Sequence, residues 1–294
     1  MNNRTPSPSY FKVILELSKV KITFAVALTT ITGYLLGGGS FDSGLILPTL
    51  GIFLLACGSS AINHYQERDQ DLKMERTRNR PIPSGRISPS GALAFAFLLS
   101  ATGSVILYLA SGMLAMQLGI LALIWYNAIY TPLKKKTAFA VVPGAVIGSI
   151  PPLVGWVAAG GQLSDPRALF MAFFFFIWQV PHFWLLMLKY GEEYTNAGFP
   201  SITKIYTSRQ IKNITFVWIL ATVVSTLMLP VFDVVESWVV MAGLLISSIW
   251  LIGQFTRLLS VRDLPFSPIK YFMKINYFVL AVIIFLSLDR FLSF

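Results

Sequence analysis

Charged residues are scarce in this sequence, and cysteine and histidine are nearly absent. Of 294 residues 12% are charged and 55% are hydrophobic, whereas a soluble domain carries about a quarter charged residues. The single Cys57 excludes an intramolecular disulfide, and the two histidines form no zinc-binding pattern. A Walker-type phosphate loop and a G-x-S-x-G nucleophile elbow are also missing. This composition excludes an ordinary soluble enzyme.

Long uncharged apolar runs fill most of the chain, and its mean hydropathy is +0.68. Nine segments are long enough, or nearly so, to cross the hydrocarbon core of a bilayer. We place these spans at 22–38, 45–62, 92–110, 113–131, 138–159, 168–188, 214–232, 236–254 and 271–291. Residues 1–21 are polar and basic and do not resemble a signal peptide. The sequence therefore predicts an all-α, polytopic membrane protein with a single domain over residues 1–294.

Basic residues lie almost entirely on one side of the predicted spans. Of the 23 lysines and arginines, only Arg167 and Arg290 fall outside the N-terminal segment and the loops after spans two, four, six and eight. The positive-inside rule then places residues 1–21 in the cytoplasm and the C-terminus outside. The net charge of +10 therefore reflects membrane orientation, and we expect no nucleic-acid partner. Loops 64–91 and 189–213 are long and carry the acidic residues that stand out, and we expect the active site there.

One short segment, 63–81, combines acids and cations directly after a span. It reads NHYQERDQDLKMERTRNRP. Asn63, Glu67 and Asp71 are spaced by four, which places them on one face of a helix. Such oxygen ligands suit a hard cation such as Mg²⁺, and the Lys and Arg side chains that follow suit phosphate oxygens. The segment predicts a metal-bridged diphosphate site; the alternative is a solvated loop of mixed charge.

Span four ends in a second polar group, YTPLKKKT. Tyr130 and Lys134 are four residues apart and can face one ligand from a helix. The alternative is a basic anchor at the membrane surface, which is the interpretation we prefer for Lys135 and Lys136.

The end of span six carries polar side chains at membrane depth, where they are costly unless used or paired. They are Trp178, Gln179 and His182, and Glu193 follows in the next loop. His182 is either a hydrogen-bonded packing residue or a contact to substrate or heme. The dense aromatic residues of 173–184 suit a membrane interface, a pocket for an isoprenoid chain or a pocket for a planar macrocycle.

Together these motifs resemble the UbiA prenyltransferase superfamily and, within it, the branch of protoheme IX farnesyltransferases. The resemblance extends from about the first span to the ninth. The superfamily's N-x-x-x-D-x-x-x-D is similar to Asn63, Glu67 and Asp71, and its M-x-R-T-x-x-R-P is similar to residues 74–81. Its Y-x-x-x-K is similar to Tyr130 and Lys134. The heme branch is suggested by LKKKT, by PPLVGW at 151–156 and by WQVPHF at 178–183.

The sequence departs from the family pattern in both acidic loops. Glu67 and Glu193 stand where aspartate is usual, so the charge is kept and the reach grows by one methylene. The branch's D-Y-x-x-A-G-x-P reads here as EYTNAGFP, from Glu193 to Pro200. Ala197 follows Glu193 by four residues, so this loop lacks a D-x-x-x-D pair, and a bridging water is one way for Glu193 to reach a metal.

The resemblance implies a bundle of nine transmembrane helices around a central cavity open to the cytoplasm. It implies transfer of a farnesyl group from farnesyl diphosphate to a vinyl group of heme B, giving heme O and diphosphate, with Mg²⁺ as cofactor. The metal would be held by Asn63, Glu67, Asp71 and Glu193. The diphosphate would be bound by Lys73, Arg76, Arg80, Tyr130 and Lys134, and the heme by Trp178, Gln179 and His182.

The implied location is the inner membrane of a bacterium, with heme A synthase and oxidase assembly factors as candidate protein partners. Two rival functions differ from this one. Another UbiA-type prenyltransferase would attach a polyprenyl chain to an aromatic acid or a quinone precursor. A transporter or a heme-binding assembly factor would need neither Mg²⁺ nor an acidic motif beside a basic cluster.

Overall fold

The computed structural model describes residues 10–259 and 267–292. Within these residues the regular secondary structure is entirely helical and there is no strand, which confirms the all-α prediction. The α-helices are α1 Tyr10–Ser18, α2 Val20–Leu36, α3 Ile46–Gln66, α4 Arg68–Asp71, α5 Pro89–Ile124, α6 Thr131–Lys134, α7 Val141–Gly144, α8 Val146–Ala158, α9 Pro166–Lys189, α10 Gly191–Asn196, α11 Ser208–Met228, α12 Trp238–Phe255 and α13 Pro268–Leu292. A π-helix, Trp125–Tyr130, joins α5 to α6. Residues 1–9 and the predicted cytoplasmic Arg262 lie outside the described residues.

Seven helical stretches of the described chain are long and apolar enough to cross a membrane. They are Ser43–Gln66, Pro89–Lys134, Val141–Ala158, Pro166–Lys189, Ser208–Met228, Trp238–Leu259 and Pro268–Leu292. The apolar helix α2 is shorter, with 17 residues. The polytopic architecture is thus confirmed, whereas the count of nine spans, the central cavity, the single domain and the orientation of the termini stay predictions.

The longest stretch, Pro89–Lys134, folds back on itself at Gly112. This residue has φ 81° and ψ −176°, a conformation that glycine adopts without the steric penalty of a Cβ. A Cβ placed on Gly119 would come within 2.7 Å of a methyl group of Leu107, although a straight helix would separate these positions by about 18 Å. The stretch is therefore a helical hairpin whose halves match the predicted spans 92–110 and 113–131.

Helices α2 and α8 cross with their backbones in contact. A Cβ on Gly33 would lie 1.9 Å from the carbonyl oxygen of Pro152, and one on Gly155 would lie 1.9 Å from the carbonyl oxygen of Thr30. Only glycine fits at either position. Small residues allow this close approach in membranes, where lipid tails provide no hydrophobic drive between helices.

Helix α11 begins inside the predicted loop 189–213. Thr207 caps it, since its hydroxyl accepts from the backbone N–H of Gln210 at 3.3 Å and its own N–H donates to the Gln210 side chain at 2.9 Å. Hydropathy predicts that the span 214–232 begins after Arg209 and Lys212, because charge marks the membrane boundary. A first helical turn outside the membrane can carry that charge, and the capping box places the start at Ser208.

Candidate active site

Asn63, Glu67 and Asp71 share one helical face where α3 passes into α4. The Glu67 N–H donates to the Asn63 carbonyl at 3.0 Å, and the Asp71 N–H donates to the Glu67 carbonyl at 2.8 Å. These bonds continue the i to i+4 pattern across the junction, which is the arrangement that the spacing predicts. All three side chains are buried. One amide and two carboxylates therefore line a single strip.

The amide of Asn63 is bound by Lys19, which the sequence analysis did not place in the site. Lys19 separates α1 from α2 with φ 46°, and its ammonium group donates to Asn63 Oδ1 at 2.8 Å. The Asn63 amide nitrogen donates in turn to Thr131 Oγ1 at 3.2 Å. Burial, together with the nearby Arg80 and Lys134 charges, lowers the pKa of Lys19 to about 7.

Each carboxylate of the strip faces its own cation. Lys134 Nζ lies 2.5 Å from Glu67 Oε1, and Arg80 Nη1 donates to both carboxylate oxygens of Asp71 at 2.9 Å. Burial acts to raise the pKa of Glu67, but the hydrogen bond and charge of Lys134, together with the charges of Lys19 and Arg80, outweigh it and the pKa is lowered. For Asp71 burial outweighs Arg80, and the pKa is raised. The strip is thus charge-balanced by the chain itself.

The π-helix Trp125–Tyr130 positions Lys134 opposite the strip. Its Asn127 carbonyl accepts from the Gln66 side chain at 2.9 Å, and the Asn127 amide donates to Ser59 Oγ at 2.6 Å. Both partners belong to α3, so the two helices are joined by side-chain hydrogen bonds beside Glu67. Such π-turns interrupt an α-helix and often occur at functional sites.

The loop after α9 meets the acidic segment. Glu193 Oε2 accepts from the backbone N–H of Arg76 at 3.4 Å, and the Arg76 guanidinium lies 4.5 Å from the ring centre of Tyr190. An apolar cluster spans both segments and consists of Met74, Tyr190, Tyr194, Ala197 and Phe199. The two acidic loops singled out from the sequence therefore lie together, with Glu193 bound to the loop that follows Asp71.

Aromatic rings continue from this cluster into the bundle. Lys134 Nζ lies 5.0 Å from the ring centre of Phe199 and 5.6 Å from that of Tyr194. Tyr130, one turn earlier, stacks on Phe183 with the ring centres 5.7 Å apart. Cation and aromatic faces within about 6 Å attract one another. The basic end of the bundle thus places a lysine and several ring faces beside Glu67.

The heme-contact candidates on α9 divide between two neighbours. The rings of Trp178 and His182 lie 5.0 Å apart, and His182 lies 4.8 Å from Phe272 of α13. Gln179 faces α8, since a Cβ on Gly148 would come within 2.7 Å of its amide oxygen. In the described part of the chain, the Trp178 indole N–H and His182 Nδ1 are buried without a hydrogen-bond partner. Trp178 and His182 thus form one group, apart from Gln179.

The four cationic residues among the predicted diphosphate ligands fall into two sets. Lys134 and Arg80 face the acids of the strip, whereas Lys73 and Arg76 are exposed in the turns after α4. A residue that sequence reasoning did not assign is His64, which is buried and whose two ring nitrogens have no hydrogen-bond partner among the described residues.

The donor set of the strip fits Mg²⁺ that arrives with a phosphate ligand. Among residues 10–259 and 267–292, no group of three His, Cys, Asp or Glu side chains could hold a metal ion by itself. Asn63, Glu67 and Asp71 offer one amide and two carboxylates. Mg²⁺ in proteins is typically held by one or two carboxylates, with substrate phosphates and waters completing the shell. A third carboxylate is therefore not needed.

Fold and site define a polytopic helical membrane protein whose buried acids and cations meet at one end of the bundle. The model of the UbiA prenyltransferase family matches residues 26–278. The chain belongs to this family, and it is therefore a membrane prenyltransferase.

Curated relatives are similar over most of their length. The protoheme IX farnesyltransferase of Oleidesulfovibrio alaskensis is 34% identical over 275 residues, which cover 94% of this chain and 95% of that protein. The protein of the same name from Geobacter sulfurreducens is 38% identical over 222 residues, covering 74% and 80%. That of Saccharophagus degradans is 41% identical over 216 residues, covering 71% of each.

Solved structures share the fold at low sequence identity. One, described as digeranylgeranylglyceryl phosphate synthase in membranes, has a TM-score of 0.76 at 18% identity and covers 95% of this chain and 98% of that one. A UbiA homolog from Archaeoglobus fulgidus bound to GPP and Mg²⁺ has a TM-score of 0.58 at 14% identity, covering 93% and 98%. The likeness confirms the UbiA fold.

Proposed function

We propose that this protein transfers the farnesyl group of farnesyl diphosphate to a vinyl group of heme B, giving heme O and diphosphate. The observation that carries the prenyl-transfer part is the buried strip Asn63, Glu67 and Asp71, with Lys134 and Arg80 paired to its two acids. The acceptor is proposed from the relatives, which bear the name protoheme IX farnesyltransferase and match this chain over as much as 94% of its length.

Binding of the diphosphate with Mg²⁺ would use both the carboxylates of the strip and the cations that are paired with them. Asn63, Glu67 and Asp71 would hold Mg²⁺, and Glu193 would support from the second loop. When bound, Mg²⁺ supplies Lewis-acid stabilisation of the leaving diphosphate. Lys134 and Arg80 would turn from the carboxylates to the phosphate oxygens, and Lys73 and Arg76 would contact the diphosphate from the rim. Their charge stabilises the negative charge that grows as the bond to carbon breaks.

The aromatic residues beside the strip would protect the farnesyl cation. As the C1–O bond of farnesyl diphosphate breaks, positive charge develops at C1. Tyr130, four residues before Lys134 and stacked on Phe183, would present a ring face to that carbon, and aromatic faces attract cations. These aromatic side chains would also keep water away from the cation until the new bond forms. The electron pair of the vinyl group then bonds to C1, and water adds to the resulting cation as a hydroxyl group while losing a proton.

Heme would lie against α9, next to this aromatic wall. Phe183, which stacks on Tyr130, lies 5.5 Å from the ring of His182, so the two candidate subsites adjoin. The unpartnered nitrogens of His182 and Trp178 are available to heme, and His182 is the candidate axial ligand. A heme A synthase and oxidase assembly factors stay predicted partners.

The decisive experiment is an assay of membranes that contain the protein, with heme B, farnesyl diphosphate and Mg²⁺. Extracted hemes are separated by chromatography and identified by mass. We expect a farnesylhydroxyethyl heme that is lost on chelation and restored by Mg²⁺. Failure to form it, beside an active control enzyme, would refute the heme acceptor.

A second arm of the assay tests a different prenyl acceptor. The same membranes are given farnesyl diphosphate with an aromatic acid or a quinone precursor in place of heme. A prenylated aromatic product in this arm, with none in the heme arm, would establish the rival prenyltransferase. No product in either arm, and no release of diphosphate, would refute prenyl transfer by this chain under these conditions.

A further inference from the structure

Helix α1 presents an apolar edge that no described residue covers. Phe11 is 67% exposed and Leu15 is 40% exposed. They are four residues apart, so their side chains lie next to one another on the helix. The basic Lys12 beside them is also exposed. An exposed aromatic and aliphatic pair flanked by lysine is typical of a helix that lies in a membrane interface.

The other sides of α1 are occupied by this chain. Val13 and Leu17 pack in an apolar cluster with Ala61, Ile82, Ala92 and Ala96. The Leu17 carbonyl accepts from Ser60 Oγ at 2.8 Å. On the next flank, Arg86 binds both carboxylate oxygens of Glu16, at 3.1 and 2.5 Å. The edge formed by Phe11, Lys12 and Leu15 is therefore the side of α1 that is left to another surface.

Position in the chain indicates which surface this is. Helix α1 passes through Lys19 directly into the apolar helix α2, whose Ile22 and Phe24 are exposed near its start. Because the sequence predicts that the first span begins at residue 22, α1 would lie at the level of the lipid headgroups. Apolar exposure therefore continues from Phe11 and Leu15 on α1 to Ile22 and Phe24 on α2, as expected of a surface that faces lipid.

We propose that α1 is an interfacial helix that binds an anionic lipid surface through Phe11, Leu15 and Lys12. Phe11 and Leu15 enter the boundary between headgroups and acyl chains, and Lys12 binds lipid phosphates. Lys19, which directly follows α1, binds Asn63 of the strip. The lipid contact of α1 therefore also helps to hold the candidate active site in place. Anionic headgroups attract a lysine that lies near the membrane surface.

Site-directed spin labelling tests the contact on the full-length protein. Cys57, which is buried, is replaced by alanine, and single cysteines are introduced as Phe11→Cys, Leu15→Cys and, as a control, Glu75→Cys. Glu75 is exposed in the turns after α4 and should face water. Each labelled protein is reconstituted into vesicles of phosphatidylcholine with phosphatidylglycerol, and accessibility to oxygen and to a water-soluble nickel complex is measured.

We expect the labels at positions 11 and 15 to be accessible to oxygen and shielded from nickel, with the opposite result at position 75. Labels at 11 and 15 that are as accessible to nickel as the control would overturn the lipid contact. We expect weaker shielding in vesicles of phosphatidylcholine alone, and also for Lys12→Glu in the mixed vesicles. Equal shielding in all three cases would overturn the preference for anionic lipid. Both readouts are independent of prenyl transfer, so they stand or fall separately from the proposed reaction.

Discussion

Replacing Lys134 by methionine would leave Glu67 buried without its counter-charge. In the native protein the two side chains are only 10% and 5% exposed, so water cannot take the place of the missing ammonium group. Removing one partner of a buried ion pair costs about 3–5 kcal/mol. For a chain of this size such a loss lowers the melting temperature by on the order of 10 °C.

The assay is thermal unfolding in detergent, followed by tryptophan fluorescence and by the fraction of protein that stays monodisperse after heating. Lys136→Met is the matched control, because Lys136 is exposed two residues along the same loop, and we expect it to melt with the wild-type protein. The double variant Glu67→Gln with Lys134→Met removes both charges. It should recover most of the lost stability, since a buried pair replaced as a whole is often neutral in energy.

Two outcomes would refute this reasoning. If Lys134→Met melted with the wild-type protein, the ion pair would not be a buried interaction in the folded state. If the double variant were no more stable than the single one, the loss would come from the contacts of the lysine ammonium group with the rings of Tyr194 and Phe199 and not from an isolated carboxylate.

Three further substitutions address the site. Asp71→Ala should abolish prenyl transfer while the protein stays folded. As a control, Asp69→Ala should leave the rate unchanged, because the Asp69 side chain is 71% exposed. A near-normal rate for Asp71→Ala would contradict the metal-site assignment. Arg80→Ala should weaken farnesyl diphosphate binding by about tenfold or more, with Arg78→Ala as the exposed control; equal affinities would remove Arg80 from the diphosphate ligands. His182→Ala should change the visible spectrum of bound heme, and an identical spectrum would argue against axial ligation.

Much of the fold could be predicted because a bilayer constrains composition so strongly. A span must be apolar over its length. The charge-free run 92–131 is too long for one crossing, so the sequence predicts two spans there, and the structure joins them by the hairpin at Gly112. Helix ends were predicted less well. Ser208 begins α11 in a polar stretch, where hydropathy gives no information and a capping box decides the boundary.

The site was predictable where its residues are close in sequence. Spacing by four places Asn63, Glu67 and Asp71 together because the helix geometry is fixed. Lys19 was not predicted as a site residue, because its contact with Asn63 depends on a left-handed residue between α1 and α2. No sequence pattern predicts that conformation. The division between Gln179 and His182 depends likewise on which helix packs on each face of α9, and that is a property of the assembled bundle.

Pairing of every strip side chain with a cation has a consequence for the order of binding. A bare Mg²⁺ ion would have to displace Lys134 and Arg80 from Glu67 and Asp71. The buried Lys134 and the half-buried Arg80 would then have no partner beside the metal. A diphosphate that enters with Mg²⁺ supplies new negative oxygens for both cations while the carboxylates turn to the metal. The charges of the site then balance before and after binding.

We therefore expect Mg²⁺ to bind tightly only together with farnesyl diphosphate. Titration calorimetry with Mg²⁺ alone and with Mg²⁺ plus a non-reactive diphosphate tests this order, and equal Mg²⁺ affinities in the two titrations would contradict it.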